Sequence, residues 1–351
     1  MYCVGVALEF SLLNAVRNLP SEAYDLKDVY ADYISDAVLA EELGFKGAFY
    51  GEHHFRECQW TGSPFLVATA VAARTEKLRI GTAVLLLPFH DPIRVAEDVA
   101  IADIISGGRF DFGIGPGSQY EEFRTFGVDP KQMNGRMWES IDWILRAFSE
   151  QSEFSHKGKY YDIPGMTFTT KPVQNPMPIW SSAMGPQNAK KAAERGFNFI
   201  GPGNFGYDAQ LAAAGRNPDD YQVASMQMIC VTDSAEKGWE IAGRGFEYFV
   251  NFYETRKDLQ GVPADPSKRI TEEMIRSGNA GFWSAAVGNP DDVIKALTPF
   301  AVGALGRVTE LACAFRHPGM RNEDTHRSMR QFAEHVMPAL REISAGAAGA
   351  H

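Results

Sequence analysis

The feature that most constrains the fold is a regular alternation of short β-rich runs with amphipathic helical patterns. In the first unit, a β-rich run at 4–8 precedes a helical pattern in which Tyr30, Ile34 and Ala37 share one face, and a second apolar run follows at 47–51. Further strands are predicted near 78–86, 110–114, 178–182, 197–200, 222–231 and 306–311, and helices near 64–74, 92–105, 136–149, 187–195, 208–214 and 235–255. Strands that alternate with helices pair in parallel through right-handed crossovers, and eight such units close a barrel. The sequence therefore predicts an α/β fold, a (β/α)8 TIM barrel, with an open doubly wound sheet as the alternative.

One connection is much longer than the others. About 75 residues separate the seventh predicted strand from the eighth, so we predict an insertion at 232–305. Phe249 and Phe252 belong to its aromatic run, which suits either a helix core or a lid over a pocket. We expect a single domain over 1–341 and a disordered tail of small residues at 342–351.

Composition excludes several classes of protein. The formal net charge is −10, and no Lys/Arg cluster alternates with aromatic residues, so a nucleic-acid partner is not expected. No apolar stretch approaches the ~18 residues of a membrane span, and the amino terminus lacks the pattern of a secretory signal, which predicts a cytoplasmic protein. The four cysteines form no C-x-x-C pair, so neither a zinc site nor a disulfide framework is indicated.

Titratable residues follow the second predicted strand directly, as Glu52-His53-His54. In a parallel barrel the active site lies where strands end, so a general acid or base is expected there. Side chains alternate along a strand, and only one of the two histidines can therefore point inward. The spacing does not suit a metal site, and two partly buried structural histidines remain the alternative.

Small residues mark the ends of other predicted strands. Gly81-Thr82-Ala83-Val84 would let a flat ring approach the backbone, although a strand glycine also marks bulges. The runs 113–117 and 201–206 are rich in glycine, and the second matches G-x-G-x-x-G without the acidic residue of a Rossmann site. The segment 181–188 leads into a helix, an arrangement that suits an anion such as phosphate.

Several segments, taken in order, carry a resemblance to a known family. They are YGEHHF (50–55), GTAVLLLPFHDPIRVAEDVAIADIISGGRFDFGIGPG (81–117), EEFRTFGVD (121–129), AAERGF (192–197), VGNPDDV (287–293) and FAEHVMPAL (332–340). Together they resemble the bacterial-luciferase-like family of flavin-dependent monooxygenases, whose fold is a (β/α)8 barrel. The resemblance runs from residue 1 to about 341.

The resemblance implies a mechanism and partners. It implies that reduced FMN, supplied by a separate flavin reductase, and O2 oxygenate a small, largely apolar substrate through a C4a-(hydro)peroxyflavin, without a metal. It also implies a homodimer, a catalytic histidine at His53 with Glu52 as an orienting partner, and a cis peptide at Ala83-Val84 beneath the flavin ring. The candidate residues are His53 and Glu52 for catalysis; Ala83, Val84, Gly115, Gly117, Met184, Gly185, Asn188 and Gly201 for the cofactor; and Cys58, Trp60, His90, Phe249 and Phe252 for the substrate pocket or lid.

The sequence departs from luciferase at the flavin phosphate. Where luciferase has an arginine, an acid, a serine and a threonine, this chain has Pro116, Met184, Gly185 and Asn188. Loss of the arginine removes a charge-assisted contact, which fits weak flavin binding or a different cofactor, FAD or a deazaflavin coenzyme. The turn at 183–186 resembles the deazaflavin-dependent branch, which transfers hydride, whereas EEFRTFGVD resembles the monooxygenases. We expect a monooxygenase, with a hydride-transfer enzyme or a non-catalytic flavin-binding subunit as alternatives.

Overall fold

A closed barrel of eight parallel strands forms the centre of the molecule. The computed structural model describes residues 8–19, 24–182 and 185–349. The strands are β1 (Glu9–Asn14), β2 (Gly47–Tyr50), β3 (Arg79–Thr82), β4 (Leu85–Leu86), β5 (Phe110–Gly115), β6 (Phe154–Lys157), β7 (Asp162–Met166), β8 (Ile179–Ser181), β9 (Asn198–Gly201), β10 (Val223–Val231), β11 (Ala285–Gly288) and β12 (Glu310–Ala314). The barrel order is β1-β2-β3-β5-β8-β9-β10-β12, and β12 pairs with β1 to close it. The predicted (β/α)8 barrel is confirmed.

Helices surround the barrel and connect its strands. They are α1 (Leu26–Glu42), α2 (Pro64–Ala72), α3 (Pro92–Ser106), α4 (Tyr120–Phe126), α5 (Met133–Ser149), α6 (Pro186–Arg195), α7 (Tyr207–Ala213), α8 (Ala235–Glu254), α9 (Glu272–Arg276), α10 (Pro290–Ala301), α11 (Asn322–Gln331) and α12 (Met337–Gly349). Local sequence sets their ends, as α3 shows. Asp91 accepts hydrogen bonds from the N–H groups of Ile93 and Arg94, and Gly107 ends the helix with a φ of 66°. None of the helices in the described ranges is long and apolar enough to cross a membrane.

Close contact between β3 and β5 depends on glycine. A Cβ atom at Gly113 would lie 1.9 Å from the carbonyl oxygen of Thr82, and one at Gly81 would lie 2.0 Å from that of Asp111. The Thr82 hydroxyl donates to the Gly113 carbonyl and accepts from the Gly113 N–H. The two strands are therefore held in direct contact at the point where the chain leaves the barrel towards Ala83.

The long connection between β10 and β12 has its own core. Residues 232–305 contain α8, α9, the extra strand β11 and α10. β11 pairs with the last four residues of β10, outside the closed barrel. Trp239, Phe246, Val250 and Ile275 pack together in a cluster that is separate from the main core. The predicted insertion is thus a folded layer on one side of the barrel.

Four local predictions differ from the structure. The first barrel strand is Glu9–Asn14 and not 4–8; residues 4–7 lie outside the described part of the chain. The last barrel strand lies at Glu310–Ala314, later than the predicted 306–311. The expected disordered tail is largely wrong, because α12 continues to Gly349. The antiparallel pair β6–β7 was not predicted, since its strands are short and half exposed.

Candidate active site

A cavity of about 800 Å³ opens at the carboxyl ends of the barrel strands. This is the size range of small-molecule sites, and it lies where parallel barrels carry their active sites. Barrel residues that line it include Asn14, Gly51, Glu52, His53, Ala83, Val84, Gly115, Gly201, Met226 and Ala314. The insertion contributes Phe249, Tyr253, Arg256, Lys257, Val262, Lys268, Phe282 and Trp283. The barrel and the insertion therefore enclose the cavity together.

His53 lies in the cavity wall between two partners. Its Nδ1 is 2.8 Å from Oε1 of Glu122, a fully buried carboxyl on α4. Its Nε2 is 3.2 Å from the hydroxyl of Tyr253 on α8. The same Glu122 oxygen accepts the backbone N–H of His54 at 2.9 Å. Three elements that are far apart in the sequence thus meet at one imidazole.

Glu52 has a different role from the one we expected. Its Oε1 lies 2.6 Å from Nε2 of His54 and 2.8 Å from Nε2 of His90, and its Oε2 accepts the N–H of Leu86 at 2.6 Å. Burial opposes ionisation of this carboxyl, but the hydrogen bonds outweigh it and lower the pKa of Glu52 to about 2. The acid that contacts His53 is Glu122. The prediction that Glu52 orients His53 is therefore wrong: an acid does hold the imidazole, but it is a different one.

A narrow shelf of small residues forms one wall of the cavity. The peptide between Ala83 and Val84 is cis, as the resemblance implied, and both residues line the cavity. A Cβ atom at Gly115 would lie 2.5 Å from Val84 Cγ2 and 2.9 Å from the hydroxyl of Ser182. The surface is therefore shaped by glycine and leaves room for a flat group beside it.

The remaining predicted cofactor residues divide into three sets. Gly117, Asn188 and Gly201 line the cavity, whereas Gly185 precedes α6 with a φ of 93°. Met184 lies outside the described residues. The Asn188 amide donates to the Asn134 side chain at 3.0 Å, and its oxygen accepts from the indole of Trp138 at 3.2 Å. Ser118, Asn134 and Ser182 also line the cavity and were not predicted.

These residues fit a flavin ring better than they fit its phosphate. The glycine-shaped shelf at 83–84 and 115 suits a flat ring system, and serine and asparagine side chains supply polar groups nearby. Pro116 also lines the cavity, at the position where luciferase has its arginine. In the described ranges, the cations that line the cavity are Arg256, Lys257 and Lys268, all of which belong to the insertion. A phosphate near α6 would therefore be held by neutral groups and by helix N–H groups.

The predicted pocket and lid residues lie near one another but have different roles. Trp60 and Phe249 line the cavity, and the Trp60 indole donates to the Gly51 carbonyl at 3.2 Å. Phe252 packs against His53 with ring centroids 4.8 Å apart, and Cys58 is buried in the same aromatic cluster. His90 belongs to the Glu52 hydrogen-bond group. In the described residues, no group of three or more His, Cys, Asp or Glu side chains could hold a metal ion.

Glu122 and Tyr253 are the main residues that sequence reasoning missed. Glu122 lies within EEFRTFGVD, which we used only as a family motif, and its position in the first turn of α4 was available from the sequence. Tyr253 lies in the aromatic run of the insertion, next to Phe252. No local signal distinguishes Tyr253 from its aromatic neighbours.

Comparisons with known proteins agree with this geometry. The chain matches the luciferase-like monooxygenase family over residues 9–322. It is 25% identical to the oxygenase component of the flavin-dependent trigonelline monooxygenase of Acinetobacter baylyi, covering 95% of this chain and 96% of that protein. It is 27% identical to the F420-dependent glucose-6-phosphate dehydrogenase of Amycolatopsis mediterranei, covering 89% and 95%.

A solved structure shows the same fold. The oxygenating constituent of 3,6-diketocamphane monooxygenase from Pseudomonas putida, in complex with FMN, matches with a TM-score of 0.77 and 20% identity. The match covers 95% of this chain and 98% of that chain. The chain belongs to the luciferase-like monooxygenase family, and it is an oxidoreductase.

Proposed function

We propose that this chain is the oxygenase component of a two-component flavin monooxygenase. In this proposal it takes reduced FMN from a separate reductase and transfers one oxygen atom of O2 to a small, largely apolar organic substrate. The observation that carries the proposal is the hydrogen-bonded chain Glu122–His53–Tyr253, which runs from a buried carboxyl to a cavity beside the shelf at Ala83–Val84. Trigonelline monooxygenase, a relative over nearly the whole chain, supports the reaction class.

Glu122 and Tyr253 would set which nitrogen of His53 accepts a proton. The Glu122 carboxylate can only accept hydrogen bonds, so it holds the Nδ1–H of His53 and directs Nε2 towards the Tyr253 hydroxyl. Burial raises the pKa of Tyr253, so its hydroxyl stays protonated at neutral pH and donates to Nε2. A neutral His53 in this state can take up a proton at Nε2 and return it during the reaction.

Other residues would bind the flavin and exclude water. Ala83, Val84 and Gly115 would hold the ring, and Ser118 and Ser182 would lie within reach of its polar groups. When bound, a reduced flavin supplies the electrons and the reaction with O2. The apolar walls keep water from the site, which strengthens the hydrogen bonds around His53. Trp60, Phe249, Trp283 and Val262 contribute to those walls.

Hydride transfer with coenzyme F420 is the second candidate. The F420-dependent glucose-6-phosphate dehydrogenase, 27% identical over 89% of this chain, favours it. Within the described residues, the cations that line the cavity belong to the insertion, and Pro116 stands where luciferase has its arginine, so the phosphate end suits a different cofactor. The two candidates differ in a measurable way, because only the monooxygenase places an atom of O2 in its product.

The test compares the two cofactors on one protein. The purified chain is titrated with reduced FMN under anaerobic conditions and with reduced F420, and turnover is then followed in 18O2 with a substrate panel. The proposal expects binding of reduced FMN and one 18O atom per product. Tight binding of F420 alone, with no 18O in any product, would replace the proposal with hydride transfer.

His53 is tested against a matched histidine. His53→Ala should slow turnover by ~100-fold or more and leave the fold unchanged. The control is His335→Ala, because His335 is exposed and far from the cavity lining. Equal turnover of the two variants would remove His53 from the proposed mechanism.

We also propose that the chain forms a homodimer through α2 and α3. These helices pack side by side, and they expose large apolar side chains to solvent: Leu66 is 73% exposed, and Ile101, Ile104 and Ile105 are 47–49% exposed. An apolar face of this kind is uncommon on a monomer and suits contact with a second copy.

A further inference from the structure

We propose that the substrate carries a carboxylate on an aromatic or apolar body, and that Arg256 binds this carboxylate. The inference rests on the proposed function, because it assumes that an organic substrate occupies the cavity. It adds the chemical class of that substrate. The argument compares the hydrogen-bonding groups that line the cavity with the partners that the protein supplies for them.

The acids that line the cavity already have partners. Glu52 binds two histidines and a backbone N–H, and Glu254 accepts the indole N–H of Trp283 at 2.8 Å. Asp258 accepts the backbone N–H groups of Gln260 and Val262, both at 2.9 Å. Asp265 accepts the N–H of Ser267 at 2.9 Å. These carboxylates hold local structure in place.

Arg256 is a cation in the cavity wall without an acidic partner. Its Nη1 donates to the backbone carbonyl of Tyr253, and no carboxylate within the described ranges forms an ion pair with it. Its neighbour Lys257, in contrast, pairs with Glu121 at 3.1 Å. A guanidinium offers five N–H donors in a planar fork that matches a carboxylate. Arg256 is half-buried, so water competes only in part for these N–H donors.

A second donor without a partner lines the same cavity. Asn14 is 4% exposed, and its Nδ2 has no hydrogen-bond partner among the residues that the structure describes. A buried amide donor without an acceptor is unfavourable, because it has lost its hydrogen bonds to water. A bound molecule that presents acceptor oxygens would remove this cost. Arg256, which is charged, and Asn14, which is neutral, would thus both form hydrogen bonds with a ligand that carries acceptor oxygens.

The surrounding walls define the rest of the substrate. Arg256 lies just past the end of α8, which carries Tyr253, and the Tyr253 hydroxyl contacts His53. Trp60, Phe249 and Trp283 provide flat apolar surfaces in the same cavity. A carboxylate at Arg256 would therefore place an aromatic or apolar body among these rings and beside His53.

The test measures binding without turnover. Quenching of tryptophan fluorescence, to which the cavity-lining Trp60 and Trp283 contribute among the six tryptophans, is titrated with benzoate and benzamide, and with phenylacetate and phenylacetamide. Each acid should bind about 10–100-fold more tightly than its amide, since a charge-assisted contact is lost in the amide. Arg256→Met should abolish this preference, and Arg256→Lys should retain part of it. The control is Arg244→Met, because Arg244 is exposed on α8, the helix that precedes Arg256, and does not line the cavity.

Two results would overturn the inference. One is equal binding, or equal failure to bind, of acids and amides by the wild-type protein. The other is an Arg256→Met variant that keeps the preference for acids but loses affinity for FMN relative to riboflavin, which would make Arg256 a flavin-phosphate ligand. The incorporation of 18O tests the proposed monooxygenase separately, so either proposal can fail without the other. Unfolding midpoints of all variants confirm that binding is compared between folded proteins.

Discussion

Replacing Glu52 with glutamine isolates the contribution of one buried charge next to the candidate active site. The Glu52 carboxylate accepts from His54, His90 and the Leu86 N–H, and so it joins the loop after β2, β4 and the segment that carries His90. Glutamine keeps the shape of the side chain but removes its negative charge. We therefore expect Glu52→Gln to lower the stability of the folded protein rather than to act directly on the reaction.

The magnitude follows from the pKa of Glu52. Burial opposes the charge, yet the hydrogen bonds lower the pKa from 4.5 to about 2. At about 1.4 kcal/mol per pH unit, the ionised form contributes about 3 kcal/mol of unfolding free energy at neutral pH. Because the pKa is lower in the folded protein, this contribution is complete above about pH 4.5 and is lost as the pH falls towards 2.

The assay is urea unfolding of wild type and variant at several pH values. Glu52→Gln should lose about 3 kcal/mol at pH 7 and at pH 5.5, and the difference should shrink below pH 4.5. The control is Glu57→Gln, in the same loop but exposed, which should change the unfolding free energy by less than about 0.5 kcal/mol. A loss under about 1 kcal/mol for Glu52→Gln, or a loss that grows as the pH falls, would refute the reasoning.

Three further predictions test other parts of the molecule. Tyr253→Phe should lower kcat by about 5-fold, since His53 loses a hydrogen bond worth about 1 kcal/mol, while the fold is unchanged; steady-state kinetics that match wild type would contradict this. Gly113→Ala should lower the unfolding free energy by about 1–3 kcal/mol, because its Cβ would lie 1.9 Å from the Thr82 carbonyl oxygen, and a wild-type urea midpoint would show that β3 and β5 can separate at no cost. Leu66→Glu should give monomers in analytical ultracentrifugation, and a variant that sediments like a dimeric wild type would exclude the α2–α3 face as the interface.

The barrel was predictable because its signal is periodic. Each strand and helix repeats the same short pattern, and an error in one unit leaves the count unchanged. The local errors have local causes. The run at 4–8 is as apolar as Glu9–Asn14, so composition alone does not locate the first strand. The tail at 342–351 is rich in alanine, which is the best helix former. We predicted disorder because its side chains are small, and this overlooked the helix propensity of alanine.

The candidate site was predictable only in part, for a reason of distance along the chain. His53 and the peptide at Ala83–Val84 lie within motifs, so a resemblance locates them. Glu122 and Tyr253 reach His53 from 69 and 200 residues away. That meeting depends on how α4 and α8 pack on the barrel, and no short pattern encodes it. The expectation that Glu52 orients His53 relied on adjacency in sequence, which is a poor guide at the end of a strand.

The division between barrel and insertion bears on how the substrate is selected. The shelf at 83–84 and 115 lies between β3 and β4 and at the end of β5 in the barrel, whereas Arg256 and Trp283 belong to the insertion. The insertion packs around its own cluster, so substitutions in its cavity face need not disturb β3 or β5. Tyr253 and Phe252 are exceptions, because they lie on the insertion and contact His53. Substitutions in the insertion can therefore change substrate choice, provided that Tyr253 still contacts the imidazole of His53.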